Sequence, residues 1–166
     1  MRFLGEKESE KAWEYFDAAS EIAKENAKCL KSQRGVVIVK NGVIIGKGYN
    51  APPKDEPTCE YCLRDKFKNM PLGTEPCRAI HAEERAIIDA LKKTGNLEGA
   101  IMCHIKIKLG EIVPSTVPSC TICSKLVAEE GMKFVMWTKE GVALYEPKEF
   151  NELSFGYVQK QLNNKK

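Results

Sequence analysis

The strongest constraint on the fold is the alternation of helix-type and strand-type hydrophobic patterns along the chain. Apolar residues recur every three to four positions from 6 to 30, which predicts an amphipathic helix. Two β-branched runs, 35–40 and 43–49, then flank Asn41-Gly42, a pair typical of a tight hairpin turn. Further helices are predicted at 80–92, 118–131 and 147–162, and further strands at 100–109 and 133–138. Because strands joined through helices pair in parallel, this order predicts an α/β architecture with a mixed sheet covered by helices.

Length and composition are those of an ordinary globular protein. The 166 residues suffice for a single domain spanning 1–166, and 43% of them are hydrophobic while 30% are charged. A formal net charge of +3 gives little support to nucleic acid as a partner, and no segment resembles a membrane span. The N-terminus lacks the apolar run of a secretory signal, so we expect a cytoplasmic protein with reduced thiols.

Residues 51–77 form a loop rich in proline and cysteine, which we interpret as an insertion within the domain. Five of the eight prolines fall between 50 and 78, and apolar periodicity is lost there. A loop of this length inside a compact domain is uncommon unless it is functional or cross-linked. We therefore expect this loop to be held by its own side chains or by a ligand.

The cysteines of the loop could cross-link it through a metal ion. They are Cys59, Cys62 and Cys77. A CxxC pair with one further cysteine favours a second, structural zinc, which needs a fourth ligand. Cys103 or His104 is the favoured fourth ligand, and Cys29 is less favoured. The alternative is that the three loop cysteines are unpaired thiols on a flexible loop.

Two short motifs supply the ligands of a catalytic metal site. His81-Ala82-Glu83 begins one predicted helix, and Cys120-x-x-Cys123 begins another. Two cysteines at i and i+3 face the same way, and a helix N-terminus lowers their pKa toward thiolate. Three protein ligands leave the fourth tetrahedral position of Zn²⁺ to water, whose pKa the cation lowers. Glu83 is close enough to transfer a proton from that water without being a ligand.

Other interpretations of these residues remain open. His81, Cys120 and Cys123 could be a core histidine with two buried thiols, or the ligands of a closed structural zinc in a non-catalytic binding module. Glu83 could be a surface carboxylate of its helix. The catalytic interpretation explains more, because it gives a purpose both to the open coordination position and to the carboxylate beside it.

The H-x-E and C-x-x-C motifs, with Gly48-Tyr49-Asn50 before the loop, resemble those of the cytidine and deoxycytidylate deaminase superfamily, most of all its deoxycytidylate branch. The resemblance covers about 35–137. It implies a three-layer cytidine-deaminase-like fold with a mixed five-stranded sheet between helices, a catalytic Zn²⁺ and a homo-oligomer. The implied reaction is hydrolytic deamination of a cytosine-type nucleoside or nucleotide such as dCMP. Asn50 would hold the nucleotide, and Ala82 and Ser119 would line the base pocket.

Two departures from the family pattern lie beside the expected substrate pocket. The family usually has proline directly before the first metal-binding cysteine, whereas Ser119 separates Pro118 from Cys120 here. The connection from the strand at 100–109 to that cysteine also contains an added excursion at 106–117. These differences leave open a deaminase of another base, such as adenine, guanine or a base within nucleic acid.

Overall fold

A computed structural model describes residues 1–54, 56–66 and 77–163 of the chain. Within these ranges there are seven strands and five helices. In chain order they are β1 (Arg2–Phe3), α1 (Glu6–Asn26), β2 (Gln33–Lys40), β3 (Val43–Tyr49), α2 (Leu63–Lys66), α3 (Ala82–Thr94), β4 (Ile101–Lys108), β5 (Glu111–Val113), α4 (Thr121–Glu129), β6 (Lys133–Trp137), β7 (Val142–Tyr145) and α5 (Pro147–Asn163).

The strands form one mixed sheet in the order β1-β7-β6-β4-β2-β3, with β5 paired to β4. The pairing of β4 with β6 is parallel and the other pairings are antiparallel. The hairpin at Asn41-Gly42 is confirmed, and both residues have positive φ, as a tight turn requires. The five longer strands are the expected five-stranded sheet, which β1 and β5 extend by short pairings.

Helices cover both faces of the sheet, which confirms the three-layer α/β fold. On one face α1 buries Phe16 and Ala19 against β2 and β4, and on the other face α3, α4 and α5 bury a second cluster that includes Phe134 and Phe150. The inner strand β2 has Val36 to Val39 all buried, because its alternate side chains enter the two cores. None of the helices described is long and apolar enough to cross a membrane.

The added excursion after β4 is a short hairpin. Strand β4 runs on to Lys108, turns through Leu109 and Gly110 with positive φ, and pairs back through β5, with Lys106 opposite Val113. The chain then rejoins the sheet where the Ser115 amide donates to the Trp137 carbonyl at 2.7 Å. The insertion therefore extends the sheet edge and returns the chain to the start of α4.

Only part of the cysteine-rich loop lies within the described residues. Helix α2 lies within this loop. The two ends of the loop meet where the Ile80 amide donates to the Ala51 carbonyl at 3.0 Å. Asp55 and residues 67–76, which include Pro71 and Pro76, lie outside the described ranges.

Helix α1 ends at Asn26, earlier than the predicted residue 30, and Leu30 is exposed.

Candidate active site

The N-termini of α3 and α4 bring the three expected metal ligands together. His81 is the N-cap residue of α3, and Cys120 is the N-cap residue of α4 with Cys123 one turn later. Their ligand atoms all lie within 4.8 Å of one another, and this is the one such group of three or more in the described ranges. The His81 Nδ1 atom is 3.3 Å from Cys123 Sγ and 3.4 Å from Cys120 Sγ, and the two sulfurs are 3.3 Å apart.

The donor set fits Zn²⁺. One imidazole nitrogen and two thiolates are ligands that zinc prefers, and three of them leave a fourth position open. Hydrogen bonds within the cluster give its three side chains different pKa values. The bond with Cys120 raises the pKa of His81 to about 9, and the bond from Cys123 lowers the pKa of Cys120 to about 4. The same thiol–thiolate contact raises the pKa of Cys123. Their mutual distances of 3.3 to 3.4 Å are short enough for all three atoms to bind one cation.

Glu83 is a buried carboxylate beside the cluster. Its side chain is 5% exposed, and the Ser119 hydroxyl donates a short hydrogen bond to its Oε1 atom. Burial raises the pKa of this carboxyl, but the nearby His104 ring, the Ser119 hydroxyl and a backbone amide outweigh burial, so the pKa lies below its usual value. Glu83 is therefore ionised at neutral pH and is held in one orientation, as a proton acceptor must be.

His104 lies on the other side of Glu83. Its Nε2 atom is 3.8 Å from Glu83 Oε1, its ring is buried, and its Nδ1 atom has no hydrogen-bond partner in the described structure. Burial lowers the pKa of His104 to about 4, and the adjacent Glu83 carboxylate opposes that shift. Sequence reasoning considered His104 only as a ligand of a second zinc and missed its place beside the catalytic carboxylate.

A cavity of about 470 Å³ opens onto this group of residues. His81, Ala82, Glu83, Ser119 and Asn50 all line it, so every residue expected to contact the substrate borders one space. The Asn50 carboxamide is already engaged, because its Oδ1 accepts from the Arg34 amide and its Nδ2 donates to the Ser32 carbonyl, both at 2.8 Å. One N–H and one lone pair of that carboxamide remain for a ligand.

Three cationic side chains border the same cavity. They are Lys31, Arg34 and Arg64. Arg34 is half-buried, and desolvation lowers the pKa of its guanidinium. In the sequence these three residues stand out only by their basic character. Their separation along the chain gives no reason to expect them around one cavity. The cavity thus has a cationic wall and a single buried carboxylate.

Cys103 and His104, the expected fourth ligands of a loop site, lie on opposite faces of β4. Cys103 is buried in the core beneath α1, and His104 lines the catalytic cavity. Instead, Cys59, Cys62 and Cys77 line a second, smaller cavity together with Cys29. That Cys103 or His104 completes a loop site stays a prediction; Cys62 and Cys77 also border the cavity that His104 lines.

Comparison with known proteins agrees with this geometry. The model of the cytidine and deoxycytidylate deaminase zinc-binding region matches residues 9–139. A deoxycytidylate deaminase of Mycobacterium phage D29 is 29% identical over 133 residues, covering 76% of this chain and 94% of the phage protein. The deoxycytidylate deaminase of Schizosaccharomyces pombe is 26% identical, and the match covers 76% of this chain but 37% of the yeast protein.

A solved structure shares the fold. The apo dCMP deaminase of cyanophage S-TIM5 superposes with a TM-score of 0.51 at 25% identity, covering 75% of this chain and 79% of the phage chain. The family match extends over more than half of the chain and includes both metal-binding motifs. The protein is a hydrolase acting on C–N bonds with Zn²⁺ as its cofactor. The chain belongs to the cytidine and deoxycytidylate deaminase family.

Proposed function

We propose that this enzyme deaminates dCMP to dUMP, with release of ammonia. The observation that carries this proposal is the cavity, in which a buried carboxylate and a His/Cys/Cys cluster share one space with three cationic side chains. The curated relatives that match the chain are deoxycytidylate deaminases. In this proposal one domain, residues 1–166 with the 51–77 loop inserted in it, carries out the reaction. Reduced thiol ligands would suit the cytoplasm.

In the proposed reaction, water adds at C4 of the cytosine ring and the amino group leaves as ammonia. When held by His81, Cys120 and Cys123, Zn²⁺ would supply a Lewis acid that lowers the pKa of a water molecule. Glu83 accepts a proton from this water and donates it to ring nitrogen N3. It then takes the remaining proton of the added hydroxyl and delivers it to the amino group, so that the C4–N bond breaks as the C4 carbonyl forms. The Ser119 hydroxyl keeps the Glu83 carboxylate in place during these transfers.

Other residues would position the nucleotide. We assign the backbone around Ala82 and Ser119 to the base, because both residues border the cavity next to Glu83. We assign Asn50 to the sugar through its remaining hydrogen-bonding capacity, while its other contacts fix residues 32–34.

The cationic wall favours a phosphorylated substrate. A 5′-phosphate carries negative charge, and arginine binds phosphate oxygens through charge-assisted hydrogen bonds. Lys31, Arg34 and Arg64 border the cavity from the α1–β2 connection, β2 and the cysteine-rich loop respectively. We therefore assign the phosphate to this wall and a mononucleotide, rather than a nucleoside, to the cavity. Relatives in the family also lead us to propose a homo-oligomer.

An ammonia-release assay tests this function. We expect dCMP to be turned over faster than deoxycytidine, cytidine, or adenine and guanine nucleotides. Glu83→Gln should keep its zinc but lose about 10²- to 10⁴-fold in kcat, because proton transfer by a positioned side chain contributes that much. Asp89→Asn is the matched control, since Asp89 lies two turns further along α3 and contacts Lys93.

Two results would contradict the proposal. A Glu83→Gln enzyme with normal turnover would remove Glu83 from the chemistry. A preference for deoxycytidine over dCMP would contradict the phosphate assignment and leave the cationic wall without this role.

A further inference from the structure

The reaction proposed above gives no role to the buried histidine of β4. His104 is 5% exposed and lies on an inner strand of the sheet, opposite Val36 of β2 and Met136 of β6. Met102, two residues earlier on the same face of β4, is an ordinary core residue. An apolar side chain would fill this position without any polar group to desolvate, so a buried imidazole here needs an interaction that compensates for its burial.

Aromatic packing fixes the orientation of the imidazole. The centroid of the His104 ring is 5.7 Å from that of Phe134, with an angle of 33° between the ring planes. Phe134 in turn stacks on Phe150 of α5 with centroids 3.7 Å apart, and both phenylalanines are fully buried. The histidine ring also lines the catalytic cavity. A rigid strand and a stacked aromatic pair therefore present this ring to the active site in one position.

The two nitrogens of the His104 ring have different surroundings. Nδ1 is buried and has no hydrogen-bond partner among the described residues, whereas Nε2 is 3.8 Å from Glu83 Oε1. Buried N–H donors without a partner are rarer in proteins than buried acceptors without one. A ring proton on Nδ1 would have no acceptor, and it would leave the Nε2 lone pair facing a carboxylate. Both considerations place the proton on Nε2, where it points toward Glu83.

A small movement would turn this contact into a hydrogen bond. Hydrogen bonds from nitrogen to oxygen measure about 2.7–3.2 Å, and atoms 3.8 Å apart leave no room for a water molecule between them. In unliganded enzymes catalytic hydrogen bonds are often long, and they shorten when the substrate binds. The Ser119 hydroxyl already donates to the same carboxylate oxygen. His104 and Ser119 thus approach one oxygen of Glu83 from β4 and from the start of α4.

We propose that His104 is a positioning residue for Glu83, whose Oε1 atom accepts a hydrogen bond from the Nε2–H group of the histidine. This inference rests on the proposed deamination, in which Glu83 takes up and delivers two protons in succession. His104 neither gains nor loses a proton in that reaction. It acts through Glu83, because a carboxylate held at one oxygen by two donors cannot rotate away from the reacting ring between the transfers. The contribution of His104 therefore belongs to kcat rather than to KM.

Two substitutions of His104 separate hydrogen bonding from packing. His104→Leu keeps much of the side-chain volume and removes the donor, so we expect kcat for dCMP to fall by about 10- to 100-fold while KM changes by less than about twofold. His104→Gln places an amide N–H group near the position of Nε2 and should recover most of the lost kcat. Met102→Leu, which alters the core on the same face of β4, is the matched control and should have wild-type kcat. Wild-type kcat in His104→Leu, or equal losses in His104→Leu and His104→Gln, would overturn the proposal.

Nitrogen NMR of the unaltered enzyme tests the hydrogen bond without any measurement of activity. The chain contains two histidines, so the spectrum of the zinc-loaded, ¹⁵N-histidine-labelled protein has two imidazoles to assign, and the signals absent from His104→Gln belong to His104. We expect a proton on Nε2 of His104, with a resonance that shifts in Glu83→Gln. An unprotonated Nε2 would overturn the inference even in an enzyme that deaminates dCMP. Conversely, absence of dCMP turnover would contradict the proposed function and leave the NMR result to decide the place of the proton.

Discussion

At the residue scale, Ser119 supplies a side-chain hydrogen bond that the family's usual proline could not supply. Its hydroxyl donates to Glu83 Oε1, on the same oxygen that His104 Nε2 approaches at 3.8 Å. A proline at this position has no side-chain donor. The serine at this position therefore gives the Glu83 carboxylate a second interaction that orients it. A sequence motif that counts only residue types does not reveal this contact.

Arg34 provides a residue-scale test of phosphate recognition. We expect Arg34→Gln to lower kcat/KM for dCMP by about 10- to 100-fold, since a hydrogen bond to a charged group contributes roughly 1.5–3 kcal/mol. The activity with deoxycytidine, which has no phosphate, should change little. Parallel kinetics with the two substrates measure this difference. The backbone amide of Arg34, which donates to Asn50, is kept in the variant.

The matched control for Arg34 is Arg2→Gln, at an exposed arginine that pairs with Glu8 far from the cavity. It should leave both substrates unaffected. Equal losses with dCMP and deoxycytidine in Arg34→Gln would mean that Arg34 supports Glu83 or the fold rather than the phosphate.

At the scale of elements, the close approach of α3 to β3 positions His81 and Glu83. A Cβ atom on Gly48 would lie 2.0 Å from the Ala82 carbonyl oxygen, and one on Gly46 would lie 2.5 Å from that of Ala86. Only glycine permits the helix backbone to lie this near the strand. Since Ala82 lies between His81 and Glu83, the position of the first turn of α3 depends on Gly48.

Gly48→Ala should displace the start of α3. We expect a loss of about 1–3 kcal/mol in the free energy of unfolding, as for other overpacked sites. We also expect a lower kcat, because His81 and Glu83 move with the helix. Urea denaturation and dCMP turnover measure the two effects.

Gly156→Ala is the matched control, because a Cβ there meets no atom within 4 Å and lies in α5. It should stabilise the protein by up to about 1 kcal/mol through helix propensity. A Gly48→Ala protein as stable and active as the wild type would show that the helix does not need this close approach.

Hydrophobic patterning in the sequence predicted most of the helices and strands. It failed where complete burial of a strand removes the alternation of polar and apolar residues. Hairpin β2–β3, helix α3 and the parallel β4–β6 pair follow from periodicity and turn chemistry. Strand β7 has four residues, all buried, so it shows no alternation between polar and apolar side chains. For the site, the motifs predicted the His/Cys/Cys cluster that the structure brings together, but the positions of Arg34, His104 and Cys29 depend on long-range packing that no local spacing encodes.

At the scale of the whole molecule, α4 and α5 expose several apolar side chains. On α4 Leu126 is 36% exposed, and on α5 Phe155 and Leu162 are 41% and 60% exposed. Phe155, Val158 and Leu162 recur at helical spacing and form a stripe along α5. Exposed apolar side chains at helical spacing are typical of sites of protein association, and we propose that this part of α5 contributes to the homo-oligomer contact.

Mass measurement of the intact enzyme and its surface variants tests this association. We expect light scattering to give a multiple of the 18.6 kDa chain mass for the wild type. Leu126→Glu and Phe155→Glu should shift the mass toward one chain, because each would bury an unpaired carboxylate in an interface. Gln161→Glu adds the same charge on a different side of α5 and should leave the assembly intact. A wild-type enzyme that is monomeric at micromolar concentration would contradict the oligomer, whereas dissociation in Gln161→Glu alone would place the interface on another face of α5.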